Sequence, residues 1–579
     1  MKARQFAREL SRRKVVRVAM LYGVVAWVLI QLADVIFPAL ALPDWTIRLF
    51  VILAIMGLPL ALLLSWFFDL TPEGVTRTES LDEASTSSDT SPSAASGATA
   101  TGDSRASASS PQAAPVVGAA PSEKSIAVLP FVDMSESGDS EYFSDGVTEE
   151  ILNALTRVRH LHVASRTSAF AFKGKDLDIR TMADELNVAT ILEGSVRKAG
   201  TRLRITAQLI NAADGYHLWS ETYDRELEDV FEVQDEIARS IVEALKVQLD
   251  MRATPHLVTQ ATRNMDAYTL YLKGRYVYNK FRREDLGQSL SFYEQALVAD
   301  PGYARAYAGI ADSWMSLADD WYSPEEAYPK AKEAAERAIQ LDDSLAEAHT
   351  AVGKVLGWFE WDFQAAELAL RRAVARSPSY AEAHYGLASV LPSNGNMEEG
   401  LAEIREALAL DPLSSEFSGW VARFLLYSRR LEEAIEQCKE TIRLDPQYYY
   451  AHVRMGNALL AMGKPEEALS AFREQATRTG DVVSVRAYEA QALAVLGRGQ
   501  EAREILDALE NEERYVRPEF LAGAYGALGD LDRAFEKLDE ALEARSAGLV
   551  YLHIDPAYDS LHDDPRFEGI VNRVGLKSG

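Results

Sequence analysis

The chain of 579 residues has a single cysteine, Cys438, so it can form neither an intrachain disulfide nor a cysteine-based zinc site. Basic residues are the minority: 60 Lys and Arg stand against 87 Asp and Glu, for a formal net charge of −27. Phosphate repels such a surface, which argues against a general nucleic-acid binder; the same charge also favours solubility. No GxxxxGK[ST] phosphate loop, HExxH pair or GxSxG elbow occurs. Gly497 with Gly499, and Gly523, Gly526 and Gly529, fall inside helical repeats and are read as packing. His349, His384 and His452 take the same early position of a repeat's first helix. Packed helices lie about 8–10 Å apart, whereas zinc ligands converge within about 2 Å of one metal. His160 and His162 share a strand face with no third ligand beside them. The residues therefore nominate no catalytic group, cofactor or metal, and the chain is read as a non-enzyme. Its length exceeds what one core organises, so several units are expected.

Long apolar runs are confined to the start. Val18 to Ala33 carries no charge and resumes after Asp34 as VIFPALAL; Leu49 to Phe68 is a second uncharged run. At 1.5 Å rise, about twenty residues cover about 30 Å, the thickness of bilayer hydrocarbon. Residues 18–68 are thus predicted as two transmembrane helices joined by a short loop. Lys2, Arg4, Arg8, Arg12, Arg13, Lys14 and Arg17 precede the first run, while the loop holds only Arg48. Positive residues stay inside, so the basic N-terminus 1–17 and everything after Phe68 are expected in the cytoplasm. Two rivals stand: a pair of buried core helices, and a signal peptide ending near Ala39-Leu40-Ala41, which would leave the sidedness unchanged.

Residues 80–122 are Ser, Ala, Thr, Gly and Pro with almost no large apolar side chain. Such a segment buries too little surface to offset chain entropy and is expected to be a disordered linker. From 123 to 250 the pattern becomes mixed. SIAVLPF reads as a buried strand, a helix follows with Val147, Ile151, Leu155 and Val158 on one face, and LHVASR near 161–166 reads as a second strand. After a short helix near 177–187, RLRITAQLI alternates, with Leu203, Ile205, Ala207 and Leu209 on one side. Ala199-Gly200 and Asp214-Gly215 mark hairpin turns. DVFEVQDEIARSIVEALKVQL closes a βαβαβββα unit. KSIAVLPF, YFSDGVTEEILNAL, LEGSVRKAGTRLRITAQLINAADGYHLWSETYDR and VFEVQDEIARSIVEAL resemble the TolB amino-terminal-like domain of bacterial proteins. That resemblance implies a recognition or signalling module without catalytic residues, often placed ahead of tetratricopeptide (TPR) repeats.

A 34-residue period runs through 266–545. Pro378, Pro412 and Pro446 keep it, as do Ala366, Gly400, Ala434, Ala468 and Ala502. Small residues at this spacing with a closing proline are the TPR signature, and about eight copies fit. Gly456 and Ala468 are expected where the two helices of a repeat approach, with Phe472 across them. Residues 546–579 are too short for another pair and are expected to cap the last apolar face.

The predicted fold is therefore multidomain: a two-helix membrane hairpin, a linker, a small α/β domain and an all-α TPR solenoid. The predicted function is a membrane-anchored interaction scaffold, in signalling or regulation, at the bacterial inner membrane. A protein or peptide partner would lie in the concave groove, where the register places Tyr385, Arg423, Tyr427, Tyr450, Asn457 and Gln491. Ordinary solvated surface is the alternative for any one of them. No cofactor or nucleic acid is implied. The competing class is a nucleotide- or small-ligand-sensing, or enzymatic, TolB-like domain with the repeats as effector. The sidedness is directly testable: a cytoplasm-active reporter fused after Gly579 should be active and a periplasm-active one silent, and the reverse result removes the cytoplasmic assignment.

Overall fold

The structure, a computed structural model, describes residues 68–71, 74–77, 121–135, 140–247, 257–258, 260–280, 282–318, 321–479, 483–512 and 516–577. The basic N-terminus, both expected spans up to residue 67 and nearly all of the 80–122 linker lie outside them. Among the described residues no helix is long and apolar enough to cross a membrane. A short antiparallel hairpin, β1 (Phe68–Thr71) and β2 (Gly74–Arg77), pairs Phe68 with Arg77. Phe68, the last residue of the second expected span, is the first residue of this hairpin, and the rest of that span lies outside the described residues.

The α/β unit runs β3 (Ser125–Val128), β4 (Val132–Asp133), α1 (Glu141–Thr156), β5 (His162–Val163), α2 (Arg166–Phe170), α3 (Ile179–Leu186), β6 (Thr190–Ala199), β7 (Arg202–Asn211), β8 (His217–Glu226) and α4 (Val230–Ala244). The sheet order is β5-β3-β6-β7-β8, with β4 also on β6. β5, β3 and β6 are parallel, while β6, β7 and β8 form antiparallel hairpins. All four residues of β3 are buried, as a central strand with both faces covered requires. Leu203, Ile205, Ala207 and Leu209 sit in one core with the apolar faces of α1 and α4. Met182 and Leu186 of α3 cover Ala127, Leu129 and Ile191 on the other side. Gly200 and Gly215 have φ of +62° and +75°, the left-handed backbone that hairpin turns need. The strand expected over 161–166 is only two residues long, because the Ser165 N–H donates to Leu410 O at 2.7 Å instead of continuing a ladder.

Eight helix pairs follow: α5/α6 (Met265–Tyr278, Arg283–Ala299), α7/α8 (Ala304–Leu317, Pro324–Leu341), α9/α10 (Ala346–Val355, Phe363–Arg376), α11/α12 (Ala381–Val390, Met397–Leu410), α13/α14 (Ser415–Tyr427, Leu431–Leu444), α15/α16 (Tyr449–Ala461, Pro465–Thr479), α17/α18 (Val483–Val495, Gly499–Glu510) and α19/α20 (Pro518–Ala527, Leu531–Glu543). The small residues of the period are the contact points. Ala366, Ala434, Ala468 and Ala502 are all buried. A Cβ on Gly456 would overlap the fully buried ring of Phe472.

The α/β unit is packed onto this array at two places. Near the first pair, buried Glu149 of α1 accepts from Arg166 at 2.9 Å and from Arg275 of α5 at 2.6 Å, and Glu150 pairs with Arg305 of α7. Further along, Asp411 accepts from the Ser168 N–H at 3.0 Å, and the Ser379 hydroxyl donates to Leu161 O at 2.7 Å. Removing one member of a buried charge cluster typically costs about 3–5 kcal/mol, so these contacts fix the unit against the repeats.

The C-terminal stretch departs from a simple cap. α21 (Pro565–Val574) packs on the last pair, with Arg566 over the Phe535 ring at 4.3 Å and Arg573 bonded to Asp539 at 2.7 Å. Ahead of it Tyr558, donating to Glu519 O at 3.2 Å, and Leu561, against Gly526, pack on the same pair. Two short 3₁₀ helices before α21, Ala547–Tyr551 and Pro556–Leu561, run back along the concave face. Tyr551, Leu552 and Leu561 are buried there, more apolar surface than the outer face of one helix pair would cover.

The helix approach at Gly456 yields a sharp expectation. Ala is better than Gly in a helix by about 1 kcal/mol, yet Gly456→Ala should lower the melting temperature, because overpacking against a ring that cannot move costs about 1–3 kcal/mol. Adding Phe472→Leu should recover part of the loss; thermal melts of the two variants and the parent check this.

Candidate binding groove

The concave face is lined by the first helix of each pair, and its side chains recur at helical spacing. On α13, Trp420, Arg423 and Tyr427 share a face; on α15, Tyr450, Arg454 and Asn457 do. Tyr385 of α11, Tyr488 of α17 and Phe520 of α19 continue the row. Together with Trp358, Tyr448 and Arg517 they enclose a cavity of about 250 Å³, whose wall also includes Glu416 and, from the returning segment, Ala547, Gly548, Tyr551 and Asp555.

That segment is held by every kind of contact a groove can offer. The Tyr551 ring packs against Tyr427 at 5.5 Å and Trp420 at 5.9 Å, and its hydroxyl donates to Ser389 O at 2.8 Å. The Tyr427 hydroxyl donates to the Asp555 carboxylate at 2.9 Å and itself accepts from Arg423 Nε at 2.5 Å. The Arg423 guanidinium lies over the rings of Trp420 and Tyr551, 4.7 Å from each. Ser393 Oγ donates to Val550 O at 2.9 Å and Gln491 Nε2 to Ala557 O at 2.8 Å. Arg429 pairs with Asp559 at 2.7 Å.

The structure brings Tyr385, Arg423, Tyr427, Tyr450 and Asn457 to one cavity. Gln491 lies outside it and holds the segment's backbone. Tyr385, Tyr427, Asn457 and Gln491 are buried rather than solvated, and the chain's own C-terminal segment bonds directly to Tyr427 and Gln491. Tyr450 is half-buried at the rim, its ring 4.0 Å from that of Tyr449. Sequence reasoning passed over Trp420 and Arg454, although each stands one helical step from a residue it named. It had no local signal for Tyr551 and Asp555, which arrive from more than 120 residues away.

The histidines at the repeat position have a structural task. The Nε2 atoms of His349 and His384 each meet the carbonyl oxygen six residues earlier, Asp343 O at 3.1 Å and Pro378 O at 2.8 Å. Among the described residues no group of three or more His, Cys, Asp or Glu could hold a metal.

Comparison with known proteins fits the two halves separately. A family profile for tetratricopeptide repeats matches residues 362–414, 392–449 and 453–514. The helix pairs within 362–514 match tetratricopeptide repeats. Residues 122–240 match a different profile from the resemblance noted above: the second domain of HilA/YgeH-like transcriptional regulators, not the TolB-like domain. A protein named putative adenylate cyclase 3, from Rhizobium meliloti (strain 1021), is 38% identical over 240 residues, which are 41% of this chain and 41% of that protein. The chain thus spans about two fifths of that relative's length. Among solved structures, Pseudomonas aeruginosa pilF shares 24% identity over 38% of this chain and 97% of its own, with a TM-score of 0.27. A tetratricopeptide repeat protein from Parabacteroides merdae shares 12% over 47% of this chain and 99% of its own, with a TM-score of 0.35. These overlaps reach no further than the repeated helical hairpin.

Titration of the returning segment should be visible. Burial, with His562 nearby, pushes His553 down to about 4 from 6.5. Between those values the unfolded chain binds a proton that the folded one refuses, so stability falls as the pH drops. Burial pushes the Asp555 carboxyl above the usual range, although Arg423 pulls it down. There the folded chain takes up the proton first, so Asp555 opposes the acid loss. Melting temperatures measured from pH 7 to 4.5 should therefore fall less steeply in His553→Gln than in the parent, and more steeply in Asp555→Asn.

Proposed function

We propose that this chain is a membrane-anchored scaffold that captures a protein partner in the groove of its TPR array and serves signalling or regulation. The observation that carries this reading is the groove's present content. It already binds a polypeptide, residues 547–559 of the same chain, through stacked rings, backbone carbonyls and an acidic side chain. A surface built to hold peptide in this way, with an open cavity beside it, suits capture of a further segment. Repeats of this family give a protein–protein interaction role its general support.

The regulatory part draws on the α/β unit. Its profile belongs to transcriptional regulators, and the relative that matches over 240 residues is named a putative adenylate cyclase. The motifs that resemble the TolB amino-terminal-like domain are read as a second recognition surface, fixed to the array by Glu149 and Asp411. The anchor rests on the two apolar runs within 18–68 and the basic residues before them, which place the groove on the cytoplasmic face of a bacterial inner membrane.

Tyr450 tests the groove, since it is the named aromatic at the rim and is not used by the returning segment. Tyr450→Ala should weaken capture of the native partner from membrane extracts by more than about 1 kcal/mol, about fivefold or more. Its melting temperature should stay close to the parent's, and exposed Arg443→Ala should change neither. Equal capture by Tyr450→Ala and the parent would remove this part of the groove as the site.

A further inference from the structure

Arg454 stands apart from the other guanidiniums of the array. It is only 6% exposed, yet no carboxylate among the described residues reaches it as a salt-bridge partner. Its one side-chain hydrogen bond is a long 3.5 Å contact to the Tyr448 hydroxyl. It is held instead by rings, at 5.2 Å from Tyr450, 5.6 Å from Trp420 and 6.0 Å from Tyr448. The absence of a side chain at Gly419 makes the room: a Cβ there would collide with Nη1. Glu416 lines the same cavity and feels the Arg454 charge without forming a salt bridge to it. Burial, with Glu382 nearby, pushes its carboxyl up to about 7, so it compensates Arg454 only in part. A buried cation so weakly compensated gains from an added anion. A second polar atom in the same wall is also incomplete, because Asn457 Oδ1 is buried with no donor. Both line the cavity, beside Arg423.

The cavity's other property is flatness. The rings of Trp420, Tyr448, Tyr450 and Tyr488 meet there, with Trp358 and Phe520 at its ends. A carboxylate on a short aliphatic stem would satisfy Arg454 and leave those faces wet. A planar ring bearing the anion would cover them and gain offset stacking as well. The returning segment makes the walls at Ala547 and Gly548, so the space left is a pocket rather than a through-groove. Its volume of about 250 Å³ is enough for one small ring and its anionic group.

We propose that this pocket binds a small planar aromatic anion, a ring carrying a carboxylate or phosphate, with the anionic group on Arg454 and the ring between Trp420 and Tyr450. Asn457 Oδ1 accepts a hydrogen bond from the ligand's N–H or O–H. The role differs from partner capture, although both use Tyr450; Arg454→Gln and the small-molecule probes tell them apart.

Calorimetric titration of the purified full chain tests it with four probes: phenyl phosphate, benzoate, inorganic phosphate and benzyl alcohol. The two ring-bearing anions should bind saturably, at least tenfold tighter than the ring alone or the anion alone. Arg454→Gln should weaken both by tenfold or more, and Arg454→Lys should fall between it and the parent. Tyr450→Leu, a rim change, should weaken phenyl phosphate and leave inorganic phosphate unaltered; it decides the matter if Arg454→Gln does not fold. Phenyl phosphate and benzoate binding no tighter than the controls would overturn the proposal. So would unchanged affinity in a folded Arg454→Gln or in Tyr450→Leu. Failure of all four probes with partner capture intact would overturn this pocket and leave the groove reading standing.

Discussion

The contact on which the concave face depends is the one between Asp555 and the Arg423–Tyr427 pair. A TPR array is open by construction: each repeat touches its neighbours, and the inner helices face water. Here one hydroxyl joins a buried guanidinium to a buried carboxylate across 128 residues of chain. Tyr551, docked on Tyr427 and Trp420, shields that junction from water, where such hydrogen bonds are stronger. On either side of these two residues the array also holds the backbone, Ser393 donating to Val550 O and Gln491 to Ala557 O. The result converts an open superhelix into a scaffold with a closed floor. It also explains why a face expected to be solvated surface has a buried tyrosine and a buried glutamine.

A similar economy operates at the other end. Glu149 gathers Arg166 from its own unit and Arg275 from the first repeat helix. Arg275 in turn reaches Asp312 of the next repeat. One carboxylate therefore sets the position of the α/β unit on the first two repeats, and Asp411 repeats the device at the fourth. The edge strand β5 is short for the same reason, since the backbone beyond it is bonded to the array. The sheet and the solenoid are consequently packed together through buried polar contacts at both places.

What the residues declared in advance follows from range. Strand alternation, turn glycines and the 34-residue period are local, so β7, the hairpins and the helix pairs from α10 to α18 were legible. The inner-face positions were legible as well, because a helix returns to one face at four and at seven residues: Arg423 leads to Tyr427, and Tyr450 to Asn457. The same step should have added Arg454, passed over because a buried arginine without a carboxylate is not a usual expectation. Contacts at long separation left no trace. Nothing around Ser168 points to Asp411, which is 243 residues away, and nothing around Glu149 points to Arg275, 126 away. HIDPAYDS reads as a plain turn until the groove supplies Tyr427.

The arginines of the array divide into two populations, and the division carries the chemistry. On the outer helices each cation has its own local acid: Arg430 with Glu433, Arg443 with Glu440, Arg498 with Glu501. These are exposed pairs of little energetic weight, the natural state of a chain with net charge −27. Around the cavity the pattern differs. Arg423 and Arg454 lie against Trp420, Tyr427, Tyr450 and Tyr551, and neither forms a salt bridge among the described residues. Asp555 reaches Arg423 through the Tyr427 hydroxyl, and Glu416 borders the same cavity, where the Arg454 charge pulls on its carboxyl. Burial and Glu382 push that carboxyl up to about 7, so near neutral pH it leaves the Arg454 charge partly uncompensated. Ring faces hold a guanidinium in place without neutralising it, and a wall that combines two ring-held cations with such a weak acid is the setting the proposed aromatic anion would use.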